Sequence, residues 1–352
     1  MTRKKGLFGQ SLVVGAVMFG SVVGAGFASG KEVWFYFAQF GWVCFPLIIL
    51  AGFLLFALGY RFLEFGKRNG IESVQQMNQK LFGRWGSVGE IIFIISNIIL
   101  LSAMFAGANS LFDIVLDTSL YRYASVLTAV IAIFVSWLGF NKMVKVNILV
   151  VPFLVLVIAI SFIYCLSNSN GFVVPLVDGT DRLFSAVFFC ILYVCSNLYF
   201  AGFIFARLGR EHSSKANLWG ALIGASFMVI CLIGMVVSIY LNPYSSMSDM
   251  PLVYIAKSVS NSFGTGTLLV VWLGILTTAV SLIYTISIWL KKYIKSYKIA
   301  TVLVGILCLL ISGLGFGLIV SYCYPVMGVF GILFMLRMVC YERKIRKKVR
   351  AI

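Results

Sequence analysis

The sequence has a single histidine, His212, set among Arg207, Arg210 and Lys215 in a polar stretch, so a histidine-based catalytic triad and a multi-histidine metal site are both excluded. Its eight cysteines (Cys44, Cys165, Cys190, Cys195, Cys231, Cys308, Cys323 and Cys340) form no CxxC pair, and each lies in or beside an apolar run, as small core residues do. Acids are scarce as well: there are eleven, nearly all near the ends of apolar runs and none at the middle of one. A membrane relay of buried carboxylates is therefore not expected, and a membrane enzyme would lack its usual acid-base groups. Only 11% of the 352 residues are charged while 61% are hydrophobic. The mean hydropathy of +1.02 excludes a water-soluble domain.

What is present is a series of apolar runs at 8–38, 42–63, 87–116, 121–140, 144–166, 182–207, 216–242, 266–290, 299–318 and 321–340. A membrane-spanning helix takes about 20 such residues, so the runs predict ten spans. The formal charge of +17 would suggest nucleic acid in a soluble protein. Here it follows from topology, because cytoplasmic loops of membrane proteins collect Lys and Arg. With the N-terminus inside, all 28 basic residues are cytoplasmic except Lys31, Arg122, Arg182 and Lys257. Shifting the span count by one after any early helix scrambles that division, so both termini are expected in the cytoplasm of a cell whose plasma membrane holds the chain. The basic start also has the look of a signal peptide cleaved near Ala25 or Ala28, which would leave nine spans. Residues 71–85 place Ile71, Val74, Leu81, Phe82 and Trp85 on one face, as a helix lying on the cytoplasmic surface would, and 251–263 reads as a short external helix.

The most unusual stretch is GSVVGAGFASG, in which Gly20, Gly24, Gly26 and Gly30 share a single apolar run. Glycine costs up to about 1 kcal/mol per position in a helix. The run is thus either very tightly packed through small-xxx-small contacts, or unwound around Val23 to Ala28 so that its amides and carbonyls meet a ligand. The sixth run carries a weaker irregularity, Tyr193 to Tyr199 with Ser196 and Asn197 at its centre and Gly202 after it. Interrupted helices at matching places in two halves are the sign of an inverted-repeat transporter with its site at the midplane, which favours the unwound reading. The repeats would be 1–166 and 180–342, joined by an external linker at 167–179 and followed by a basic tail at 343–352. In the eighth run Thr277, Thr278 and Ser281 offer hydroxyl oxygens to a small hard cation, unless each bonds back to its own helix. Ser96, Asn97 and Ser102 are further polar residues at membrane depth. Lys31 and Glu32, just past the glycines, are expected to pair with each other or face water.

The runs VGAGFASGKE (23–32), GFNKMVKVN (139–147) and DMPLVYIAK (249–257), together with ten spans and basic loops, resemble the YkvI-type membrane permeases of bacteria, a branch of the amino acid–polyamine–organocation superfamily. The resemblance spans the whole chain, and it implies an all-α membrane fold of five plus five inverted helices, with discontinuous helices 1 and 6, as in leucine-type sodium symporters. It implies one sodium ion held by the carbonyls of Gly20, Val23 and Gly274 and the hydroxyls of Thr277 and Thr278. Some proton-driven relatives place a lysine there from the fifth span, and residues 146–163 contain none. A second sodium site known in some symporters uses an asparagine where this sequence has Phe27. Substrate would lie against Gly24, Ala25, Gly26, Phe27 and Ala28, with Asn97, Tyr193, Ser196 and Asn197 around it. The function implied is sodium-coupled symport of an amino acid or similar small zwitterion by alternating access. A proton-coupled or uncoupled carrier, or a receptor subunit that binds an amino acid without moving it, are the alternatives. No enzyme activity, resident cofactor, nucleic acid or obligate protein partner is expected.

Overall fold

Lipid offers backbone groups no water, so an apolar run can cross it only by closing its own hydrogen bonds as a helix. The computed structural model describes residues 6–22, 25–115, 123–137, 140–168, 171–175 and 180–350, and among these the regular elements are helices without a strand. The first half holds α1 (Leu7–Val22), α2 (Ala25–Ser29), α3 (Lys31–Tyr36), α4 (Cys44–Asn69), α5 (Val74–Phe82), α6 (Gly86–Val115), α7 (Ala124–Trp137) and α8 (Phe140–Asn168). The second holds α9 (Thr180–Glu211), α10 (Ser214–Leu241), α11 (Pro251–Val259), α12 (Asn261–Leu290), α13 (Tyr297–Ser312), α14 (Phe316–Leu318) and α15 (Tyr324–Arg350). Seven segments are long and apolar enough to cross a membrane, and α1, α7 and α13 are shorter apolar helices that complete the set of ten runs. Phe53, Phe134 and Leu310 are largely exposed on α4, α7 and α13, an arrangement stable only when lipid covers them. The short α5 starts at Ser73, whose side chain accepts from the Gln76 amide at 3.1 Å, and buries Met77 and Leu81 against the bundle. Six of the cysteines are buried, Cys323 is half-buried and Cys340 is exposed; all are free.

The first span is broken. Its last full turn gives way at Gly30, whose φ of 82° lies in the left-handed region open to glycine, and the chain restarts as α3. Unwinding was expected around Val23 to Ala28. Val23 and Gly24 lie outside the described residues, whereas Ala25 to Ala28 are helical within α2, so the described break falls later than expected, at Gly30, where the left-handed backbone stops the helix. The matching irregularity in the sixth span is not a break: α9 runs as continuous helix from Thr180 to Glu211. The reason is local. Ser196 Oγ and Asn197 Nδ2 both donate to the Tyr193 carbonyl, at 3.0 and 2.9 Å, so these polar groups are satisfied within the helix they were expected to interrupt. The tenth span has its own irregularity. Pro325 has no N–H to return to the preceding turn, and a π-helical turn at Ile319–Cys323 joins α14 to α15 just before Tyr324.

Packing is closest where glycines let backbones meet. On α4 and α9, a methyl at Gly66 would overlap the Ala206 carbonyl, and one at Gly209 would overlap that of Leu63. Gly331 of α15 faces the Cys195 carbonyl of α9 in the same way. Gly15 and Gly224 join α1 to α10, with a Cβ at Gly224 falling 2.9 Å from the Gly15 carbonyl. Elsewhere α12 packs against α6, α7 and α8.

Candidate functional site

Beside the break in the first span the bundle holds a cavity of about 220 Å³, the space of roughly seven waters. Six helical segments give it polar groups: Ser21 from α1, Glu32 from α3, Asn97 from α6, Ser196 and Asn197 from α9, Thr278, Ser281 and Thr285 from α12, and Tyr324 from α15. Gly20 and Gly26 form part of its wall. Val74 of α5 also lines it, so the cavity extends toward the end of the bundle that carries α5 and the basic loops.

The opposite end is closed. Lys31 Nζ lies 3.4 Å from Asp249 Oδ1 and donates to the Ser248 carbonyl at 3.1 Å, while Ser110 Oγ of α6 donates to Asp249 Oδ2 at 3.4 Å. Gly30 meets the start of α11 closely, its Cβ position lying 3.1 Å from the Leu252 amide. Beneath this latch, rings of Phe37 and Tyr193 meet edge to face with centroids 4.9 Å apart, and Tyr36 packs against Tyr193 at 5.5 Å. The layer is dry: Tyr36, Phe37 and Tyr193 are each at most 1% exposed.

Of the residues the sequence offered for substrate, Gly26, Asn97, Ser196 and Asn197 line the cavity. Phe27, Ala28 and Tyr193 are buried around it without facing it. Gly24 lies outside the described residues, and Ala25 is described only as the first residue of α2. Of those offered for sodium, Gly20 and Thr278 line the cavity; Thr277 is buried one residue away with its hydroxyl donating to the Gly274 carbonyl at 3.1 Å; Val23 lies outside the described residues. Asn97 Nδ2 donates to the Phe93 carbonyl at 2.7 Å, which leaves its amide with further donor and acceptor capacity. Ser96 and Ser102 are buried and bond back along α6, to Ile92 and Ile98, and neither reaches the cavity.

The residue to which sequence reasoning drew attention without giving it a role is Glu32. It does not pair with Lys31, which is drawn to Asp249; it is largely buried, lines the cavity, and is the one charged side chain to do so among the described residues. Its carboxylate occupies the space where a side chain at position 26 would be, so Gly26 is what admits it. The available signal was the glycine itself, four residues before the left-handed turn and six before the acid.

No family profile matches the chain. It is 30% identical to the membrane protein YkvI of Bacillus subtilis (strain 168) over 355 aligned positions, covering 97% of this chain and 99% of that one. Among solved structures it is similar to MhsT in complex with L-phenylalanine, at TM-score 0.68 and 17% identity over 92% of this chain and 87% of that one. It is also similar to a Na+-coupled sialic acid symporter, at TM-score 0.63 and 13% identity over 93% and 78% of the two chains. At those identities the structural likeness speaks for the fold, that of the leucine-type transporters. The near full-length match in sequence speaks for kinship, and the chain belongs to the family of the membrane protein YkvI.

Proposed function

We propose that this protein is a secondary transporter that carries an amino acid or a similar small zwitterion by alternating access, with sodium as the coupling ion. The observation that carries the reading is a polar cavity at a broken first span, open toward one end of the bundle and latched at the other. That is what an alternating-access carrier needs in one of its states. The basic loops give the direction: the open end faces the cytoplasm, and both termini lie there, in the plasma membrane. Residues 1–166 and 180–342 are read as the two repeats, and the likeness to MhsT with its L-phenylalanine and to the sodium-coupled sialic acid symporter supports the substrate class and the ion.

Substrate would sit against Gly24 to Ala28, with its carboxylate toward the amides freed at the break, and against Asn97, Ser196 and Asn197. Tyr193 would shape the pocket from behind. Sodium, a hard cation that takes oxygen ligands, would be held by carbonyls of Gly20, Val23 and Gly274 and by the hydroxyls of Thr277 and Thr278. What supports the ion site is that Gly20 and Thr278 face one space; the Thr277 hydroxyl bonds back to the Gly274 carbonyl of its own helix, and it would have to turn from that carbonyl for both to reach the ion.

The test is uptake of radiolabelled amino acids into proteoliposomes under an inward sodium gradient, with potassium as the control. Accumulation in sodium alone is expected, and Thr278→Ala should raise the sodium concentration for half-maximal uptake at least tenfold. Equal uptake in potassium refutes the coupling. An unchanged sodium requirement in the variant refutes the ion site.

A further inference from the structure

A carboxylate buried in a membrane protein is costly unless a positive group neutralises it. Glu32 is buried, has no hydrogen bond or ion pair with any described residue, and faces a cavity whose described lining contains no Lys, Arg or His. Three buried tyrosines belong to the same region: Tyr36 of its own helix, whose ring lies 5.5 Å from that of Tyr193 of α9, and Tyr324 of α15, which lines the same cavity as Glu32. None of their hydroxyls has a hydrogen-bond partner in the structure. Tyr36 lies toward Ser196, which gives its proton to the Tyr193 carbonyl at 3.0 Å and can face the Tyr36 hydroxyl only as an acceptor, so the Tyr36 oxygen keeps its own lone pairs. One acceptor-rich group and three unspent hydroxyls thus share a single buried zone, and what the zone lacks is a cation that can also donate several hydrogen bonds.

We propose that the Glu32 carboxylate, facing a cavity that Tyr324 also lines and backed by the packed rings of Tyr36 and Tyr193, is the receptor for a protonated amine. The substrates are then ammonium compounds, and simple anions of the same size are rejected. This rests on the transporter reading of the same cavity and deepens it. An ammonium group offers three N–H donors at one point of charge, matching the oxygens of a buried carboxylate. It also places the two charges of a zwitterion: the amine goes to Glu32, while the carboxylate goes to the neighbouring amides at the break. With a sodium ion bound as well, the loaded site sums to zero charge, because the ion offsets Glu32 and the zwitterion contributes nothing. An anionic substrate would instead put a second negative charge beside the first with no cation in the lining to offset it. Gly26 has a specific part here, since any larger residue would displace the carboxylate from the place it holds beside the break.

The test reads binding without flux, so it stands apart from the uptake assay and holds even for a protein that binds and does not transport. Purified protein in detergent is melted with the twenty standard amino acids, and with three straight-chain series of matched length: alkylamines, alkanols and alkanoates. Each is run in sodium and in potassium, on the wild type and on Glu32→Gln, which keeps the shape of a neutral acid. Stabilisation by amino acids and alkylamines above the matched alkanols, with none from alkanoates, is expected for the wild type. Glu32→Gln should weaken the amine-bearing ligands by about 10- to 100-fold, the worth of a hydrogen bond to a charged group, while leaving the alkanols as they were. The wild-type ranking decides by itself if the variant does not fold. Alkanoates that stabilise as well as amines overturn the proposal, as does an amine response that survives Glu32→Gln or no response to any amine. Stabilisation by sodium alone that is lost in Glu32→Gln overturns it too, by assigning the carboxylate to the coupling ion. Binding that behaves as expected without any uptake overturns the transporter reading and leaves this inference standing.

Discussion

Two glycine-to-alanine changes that look alike on paper should have opposite consequences. At Gly26 and at Gly66 the added methyl falls roughly 1–2 Å inside van der Waals contact. At Gly26 the obstacle is the end of the Glu32 side chain, which can swing into the adjacent cavity of about 220 Å³. The rotamer cost is about 1 kcal/mol, and replacing glycine by alanine within a helix returns about as much. At Gly66 the obstacle is the Ala206 backbone of α9, fixed in its own helix, so α4 and α9 must part along a tightly packed seam. Overpacking of that kind costs about 3 kcal/mol or more. Gly26→Ala should therefore melt within a few degrees of wild type in detergent, followed by tryptophan fluorescence, yet lose the stabilisation that amine ligands give. Gly66→Ala should melt far lower or fail to accumulate. A Gly66→Ala protein that melts like wild type, or a Gly26→Ala protein as damaged as Gly66→Ala, would refute the reasoning, because the nature of the obstacle would then not matter.

Two further outcomes follow from other contacts. Asn217 Nδ2 of α10 donates to the buried Glu64 carboxylate and to the Gly209 carbonyl, both at 3.2 Å; Asn217→Ala leaves Glu64 with Ser214 as its remaining described hydrogen-bond partner and should cost on the order of 2–3 kcal/mol, visible as a lowered melting temperature. A wild-type melt there would show that the network carries no stability. Removing the outer latch by Asp249→Ala should change global stability by no more than about 1 kcal/mol, as a half-exposed ion pair would. It should nevertheless speed hydrogen exchange across α11, and unchanged exchange over Pro251–Val259 would mean that the pair does not hold the latch.

The all-helical membrane fold could be read in the sequence because a bilayer imposes one rule on every span, and runs of apolar residues report it directly. The short helix α5 was legible because a single apolar face on an otherwise polar segment admits few placements. That the first span is interrupted was legible from its glycines, though not that the described break lies at Gly30 rather than over Val23 to Ala28. The continuity of α9 was not, because Ser196 and Asn197 look the same in a sequence whether they interrupt a helix or bond back to it. Glu32 was the least legible of all. Along the chain it is an acid near the end of a run, beside a lysine that seems its natural partner. Only the left-handed turn at Gly30, the gap at Gly26 and an aspartate more than two hundred residues away separate the two, sending Lys31 to the latch and Glu32 to the cavity.

The glycine seams have a mechanical meaning. Where α4 meets α9 at Gly66 and Gly209, and α9 meets α15 at Gly331, main chain comes directly against main chain, with side chains such as Phe62 and Leu192 filling the seams beside those points. The same holds for α1 on α10. Each seam therefore behaves as a weld, and the helices on either side must travel together or not at all. α12 packs against α6, α7 and α8 in part through side chains, as where Trp272 donates to the Thr128 hydroxyl of α7. The cavity between these groups is in effect the gap of a clamp with stiff jaws, and whatever opens it must spend its work between the jaws rather than within them.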